Sequence, residues 1–375
     1  MKITIAIDSF KGSLSSLEAG NAVKEAALNV NKDAVVVVKS LADGGEGTVD
    51  ALASGMTSET VEIAVTGPLM QPVTAKYCIL KDTNTAVIEM ASAAGITLVD
   101  PEKRNPMETT TYGVGELIKD AINKGCRRFI VGIGGSATND GGIGMLMALG
   151  YRFLDDNGMP VSVCGKGLEY IKTIDSSGII PELKDCLFRI ACDVSNSLCG
   201  ENGCSAIYGP QKGADPQMVL TMDGWLSNFA QVAKKFNPKA DEKIPGAGAA
   251  GGLGFAFLAF TNAELKSGVE IVLEETALEK DIMDSDIVVT GEGRLDAQSV
   301  MGKAPVGVAR MAKKHGKKVI AFCGCVGDNA EICNEHGIDA FFPILRKIST
   351  LDEAMDNTNA YKNLKETAMQ VFRLL

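Results

Sequence analysis

Asp286-Ile-Val-Val-Thr-Gly-Glu-Gly-Arg-Leu-Asp-Ala-Gln-Ser299 is the stretch on which the reading of the fold turns. A short run of β-branched residues, Asp286–Thr290, leads straight into glycines, a glutamate, an arginine and an aspartate. Continuous apolar runs of this kind belong to strands buried on both faces of a parallel sheet. The pattern repeats downstream, with a helix expected over Lys303–His315, a strand over Lys318–Phe322, a helix over Ala330–His336 and a strand over Ala340–Pro343. Thr350 with Glu353 reads as a capping box for a final helix. At the other end of the chain, Lys2–Ile7 reads as a strand ending in Asp8-Ser-Phe-Lys-Gly-Ser13. A helix over about Ser16–Val30 follows, with Ser15 or Ser16 as N-cap, then a strand over Ala34–Val38. Two N-terminal and three C-terminal strands with helical crossovers make five, the count of a flavodoxin-like doubly wound sheet.

Between the two ends the pattern changes. Val61–Val65, Val73–Leu80 and Ala86–Met90 alternate apolar and polar residues around Gly67-Pro68 and Asp82–Asn84, as an antiparallel meander does. A helix over Tyr112–Lys124 leads into a strand over Arg128–Ile133 and the loop Gly134-Gly-Ser-Ala-Thr-Asn-Asp-Gly-Gly142, with a small helix from Gly144 to Leu149 behind it. Further strands are expected at Leu187–Cys192 and Ala206–Tyr208, and a long helix around Gln217–Lys235. The expected fold class is α/β with two domains. A flavodoxin/Rossmann-like parallel-sheet domain is built from both chain ends, 1–62 and 285–375, and a mixed α/β domain, 63–284, is inserted. Two lobes joined by two crossovers would form a hinged cleft, a usual place for a ligand.

Composition bounds the function. The chain has 375 residues, 46% of them hydrophobic and 5% aromatic, and a formal net charge of −10. That balance, with no basic run, argues against nucleic acid as a partner. An anionic substrate must therefore be held by local lysines, arginines and backbone amides. No signal peptide and no apolar stretch of membrane-spanning length is expected, and the reading is a cytoplasmic protein with no membrane partner. The ten cysteines lack zinc spacing and read as reduced thiols. With only two histidines, His315 and His336, acid–base chemistry falls to carboxylates and lysines.

In an open parallel sheet, ligands bind outside the carboxyl ends of the strands. Three strand ends here are polar and small: Asp8–Ser13, Asp43-Gly-Gly-Glu-Gly-Thr48 and Gly291–Ser299. Each alone reads as a helix-capping loop; together they favour a site. The middle region adds Cys192-Asp-Val-Ser-Asn196 and Gly209-Pro-Gln-Lys-Gly213. The loop Gly134–Gly142 reads as an anion cradle, because backbone N–H groups can approach a phosphate where no Cβ intervenes and the helix behind adds its dipole. The alternative is a tight glycine turn packing a helix on a sheet. Gly246-Ala-Gly-Ala-Ala-Gly251 matches a dinucleotide fingerprint, but it follows a charged segment ending in Pro245 where the fingerprint needs a strand.

Taken in order, Asp8–Ser13, Ala42–Thr48, Gly132–Gly142, Cys192–Asn196, Gly209-Pro-Gln-Lys-Gly-Ala214, Pro245–Gly254 and Gly291–Asp296 resemble the motifs of the bacterial glycerate kinase family across essentially the whole chain. The resemblance implies ATP-dependent phosphorylation of glycerate with Mg²⁺, usually to 2-phosphoglycerate, by two α/β domains with the active site between them. It departs from the family at Asn196-Ser-Leu198, where Asn-Pro-Leu is common. Under it, Gly134, Gly135, Ser136, Thr138, Asn139, Gly141 and Gly142 are assigned to the nucleotide. Lys11 and Arg294 go to the substrate carboxylate and the transferring phosphoryl group, and Asp8, Ser13 and Lys212 to substrate binding. Asp193 is the first choice as base and Asp296 the second, with Asp43 and Asp296 as the metal contacts. Two other classes remain open at this point: a non-catalytic two-lobed binder of small acids and, through Gly246–Gly251, a nicotinamide oxidoreductase.

Overall fold

The structure, a computed structural model, describes residues 1–41, 52 and 56–375. The Ala42–Thr48 motif, and with it Asp43, lies outside the described residues. The chain divides into two compact units, each with its own core; among the described residues, unit 1 comprises 1–41, 52, 56 and 268–375, and unit 2 comprises 57–267.

Unit 1 begins with β1 (Lys2–Ile7), α1 (Ser16–Val30) and β2 (Val35–Ser40). Ser15 caps α1 through a capping box with Glu18, so the helix starts where its first free N–H groups find a side-chain acceptor.

Unit 2 opens with the meander β3 (Ser58–Thr66), β4 (Pro72–Leu80) and β5 (Thr85–Glu89), paired antiparallel. A single turn, α2 (Ala91–Ala94), then α3 (Tyr112–Asn123), β6 (Arg128–Gly132) and α4 (Ile143–Ala148) follow. β7 (Arg152–Leu154) and β8 (Thr173–Asp175) form a small ribbon. Next come β9 (Leu187–Ala191), α5 (Cys204–Tyr208), α6 (Pro216–Phe236), α7 (Ala249–Phe260) and β10 (Ala263–Lys266). The sheet runs β10-β9-β6-β5-β4-β3, parallel from β10 to β5. Its core is aromatic, with Phe129 and Phe188 stacked at 4.7 Å between ring centres.

The chain re-enters unit 1 through α8 (Gly268–Glu275) and α9 (Leu278–Met283), then β11 (Ile287–Leu295), α10 (Ala304–Lys314), β12 (Lys318–Val326), α11 (Ile332–Glu335), β13 (Ala340–Pro343), α12 (Leu351–Met355) and α13 (Asn357–Phe372). The five strands are all parallel in the order β13-β12-β11-β1-β2. Counted along the unit, that is the flavodoxin-like order, with its reversal between β1 and β11. Ile3, Ile5 and Ile7 share one face and pack with α1 and α13, as the two-residue period of a strand requires.

Three expectations are corrected. Cys204–Tyr208 is helical, not a strand, because a short apolar run between Gly203 and Gly209-Pro210 has no period of its own and the local turn wins. The Thr350–Glu353 box is present but caps the short α12; the final helix restarts at Asn357 with Asp356 as its own cap. β11 and β12 also run several residues beyond their apolar cores, carrying Glu292 and Arg294 within a strand.

Candidate functional site

Each unit holds a cavity at the carboxyl ends of its parallel strands. In unit 1 the cavity is about 380 Å³ and lies at the β1/β11 reversal. Asp8, Lys11 and Ser13 follow β1, Glu292 and Arg294 end β11, and Lys303 opens α10. Asp8 is buried, and its Oδ1 accepts the Ser9 amide at 2.7 Å. The Ser13 hydroxyl donates to the Phe10 carbonyl at 3.0 Å. Glu292 is buried, accepts the Ser299 hydroxyl, and meets Lys303 Nζ at 3.2 Å. Burial pushes its carboxyl upward in pKa against the pull of Ser299 and Lys303.

Asp296 is engaged by its own neighbours. Its carboxylate caps the turn Ala297–Val300, pairs with Arg294 Nε at 3.1 Å and lies 3.9 Å from Lys303 Nζ. A carboxylate already compensated by two cations orients those cations; it does not present a vacant anion to a metal. Among the described residues no group of three or more His, Cys, Asp and Glu side chains is gathered in metal-binding fashion.

In unit 2 the cavity is about 410 Å³ and is lined by Gly134, Gly135 and Ser136 after β6, by Asp193 after β9, and by Lys212. The backbone here is held by neighbours: the Ile96 amide donates to the Gly135 carbonyl and the Ala137 amide to the Ala94 carbonyl. Lys212 ends a single turn, Pro210–Lys212, closed by Gly213 at φ +97°, where a Cβ would stand 2.2 Å from the Arg104 carbonyl. Only glycine closes that turn. The Lys212 side chain is 2% exposed, and its ammonium donates to Ser136 Oγ at 2.8 Å and to the Thr138 carbonyl at 2.7 Å. Both partners are neutral, and burial lowers its pKa to about 8.

The rest of the glycine loop does not reach this cavity. Thr138, Asn139 and Asp140 are fully buried, and Gly141 and Gly142 pack against Leu226, Phe229, Leu253 and Ala256. The anion at the N-terminus of α4 is the protein's own. Asp140 Oδ2 accepts the Thr111 amide and hydroxyl, each at 2.8 Å, and the Gly144 amide at 3.3 Å, while Oδ1 accepts the Gly142 amide at 3.1 Å. Met145 donates its amide to Thr111 Oγ1. The loop residues that line the cavity are therefore Gly134–Ser136, beside Lys212, and residues 138–142 pack as a tight glycine turn. The second glycine run is its counterpart: Gly141 donates to the Gly251 carbonyl at 2.9 Å, and Ala250, Gly251 and Gly252 all have positive φ. Gly246 follows an irregular segment, so the dinucleotide fingerprint lacks its strand.

Sequence reasoning left Glu292 and Lys303 outside its site set. The signal was present: Glu292 stands in the quoted strand end, and Lys303 opens the helix that follows it. All ten cysteines are free thiols.

Known proteins resemble this chain over its whole length. The sequence model of the glycerate kinase family matches residues 3–375. A glycerate 2-kinase of Escherichia coli (strain K12) is 49% identical over 364 residues, covering 97% of this chain and 95% of that protein. A glycerate kinase of Haemophilus influenzae is 48% identical over 375 residues, covering 100% and 99%. A crystal structure from Salmonella typhimurium LT2, described as a glycerate kinase 2, matches with a TM-score of 0.92 at 43% identity, covering 100% of this chain and 98% of that one.

Proposed function

Because the chain belongs to the glycerate kinase family, we propose that it transfers the γ-phosphoryl group of ATP to D-glycerate, giving 2-phosphoglycerate and ADP. In the proposed step the 2-hydroxyl oxygen bonds to the γ-phosphorus as the bond to the β–γ bridging oxygen breaks. ADP leaves, and the hydroxyl proton passes to the Asp193 carboxylate. Such transfers depend mainly on positioning and on stabilising charge at the phosphoryl oxygens. Lys11, Arg294, Lys303 and Lys212 are the cations proposed to supply that charge.

The observation that carries this reading is Lys212. A buried ammonium with only neutral hydrogen-bond partners, beside a glycine-lined cavity, is stabilised by an incoming carboxylate or phosphate. Asp296, paired with two cations, does not fit as a ligand for magnesium, and Asp43 lies outside the described residues. Mg²⁺ accompanying ATP would neutralise phosphate charge, keeping water and phosphate oxygens as most of its ligands.

The test is ADP release with ATP, Mg²⁺ and D-glycerate, with the product read by phosphorus NMR. A 2-phosphoglycerate resonance is expected. Turnover that yields only 3-phosphoglycerate would overturn the regiochemistry, and no turnover with either glycerate enantiomer would overturn the substrate.

A further inference from the structure

The unit 1 cavity has two chemically distinct walls. One is charged, with Lys11, Arg294 and Lys303 beside the carboxylates of Asp8 and Glu292; the other is apolar, with Ile344, Leu345, Leu351 and Met355. At about 380 Å³ it falls within the range of cavities that hold drug-sized ligands. Leu345, Leu351 and Met355 are large apolar side chains left 42%, 75% and 38% exposed. A highly charged three-carbon acid gives such a wall nothing to bury. Asn363 lines the same cavity, and its side-chain amide has no hydrogen-bond partner among the described residues. An amide offers both donor and acceptor to the edge of a heterocyclic base. The cavity also sits at the reversal of a flavodoxin-like sheet, where mononucleotides bind. The unit 2 cavity sets Asp193, Tyr208 and Gln211 beside Gly134–Ser136 and Lys212, and Asp140 fills the α4 terminus.

We propose that the donor nucleoside triphosphate binds in the unit 1 cavity, its base against Leu345, Leu351 and Met355 within reach of Asn363, and its phosphates toward Lys11, Arg294 and Lys303. The inference rests on the kinase reading above and reverses the assignment of the nucleotide to the glycine loop.

Leu345→Asp and Leu351→Asp place a carboxylate on the apolar wall at exposed positions, where folding is unaffected. Each is expected to raise KM for ATP about tenfold or more while KM for glycerate and kcat move less than about threefold. A raised KM for glycerate with an unchanged KM for ATP would overturn the proposal, as would no change in either. An azido-ATP photolabel, competed by excess ATP and mapped by peptide, is expected on residues 344–363; label on 133–136 or 249–250 overturns it. The photolabel needs no turnover, so a wild-type protein that fails to release ADP refutes the reaction while the label still decides where the nucleotide lies.

Discussion

Lys212 and Asp193 carry the sharpest expectations at the scale of single residues. The Lys212 pKa falls from 10.5 to about 8 on burial, so the ammonium is present below about pH 8 and is lost above it. Anion binding at the unit 2 cavity therefore weakens as pH rises through that value. A fall in kcat/KM for the reactant held there is expected in a series from pH 6.5 to 9.5, and Lys212→Met should abolish the dependence along with most of the activity. The linkage to stability has the opposite sign. Between about pH 8 and 10.5 the unfolded chain binds more protons at this lysine than the folded one, so its contribution to unligated stability rises with pH there. For Asp193→Asn, kcat is expected to drop roughly a hundredfold or more with both KM values held within a few-fold, as loss of a general base predicts. Near-normal turnover at saturating substrates would remove Asp193 from that role. Both residues were legible as polar positions after apolar or glycine-rich runs. That Lys212 is buried was not, since burial of a lysine depends on elements distant in the chain.

At the scale of elements, the two glycine runs form one packed device. Gly251 has φ +67°, and a Cβ there would stand 2.1 Å from the Thr138 carbonyl. Gly251→Ala adds a left-handed backbone to a steric clash, and is expected to destabilise the protein by at least about 2 kcal/mol in denaturant melts. Asp140→Ala leaves the Thr111, Gly142 and Gly144 amides without their acceptor, at a cost of about 3–5 kcal/mol by calorimetry. An ordinary surface value of a few tenths would contradict the capping role. Elements with strong local signals were legible. Ala340–Pro343 and the Ser15–Glu18 cap were readable because period and capping chemistry lie within a few residues. The Cys204–Tyr208 helix and the partners of Gly134–Gly142 were not. A five-residue helix lacks a period, and a glycine loop reads alike whether a ligand or another backbone fills the space its missing Cβ atoms leave.

At the scale of the whole molecule, the separate buried apolar clusters of unit 1 and unit 2 among the described residues predict two components in thermal unfolding, and Gly251→Ala should lower only that of unit 2. A single transition that shifts as one with this substitution would show the cores to be coupled. With a net charge of −10, the protein offers its anionic reactants no favourable global field, so local cations must hold them. The sequence by itself determined the α/β class, the five parallel strands drawn from both chain ends, the antiparallel meander and the family. These follow from hydrophobic period, turn chemistry and ordered motifs, all written locally along the chain. Only the tertiary structure decided which glycines face a cavity and which face carbonyls, that Asp140 occupies the helix terminus meant for a ligand, and that Arg294, Asp296, Glu292 and Lys303 form one ion-paired cluster beside an apolar wall. Those facts depend on which side chains meet across long chain separations, and desolvation and close packing are properties of the assembled neighbourhood.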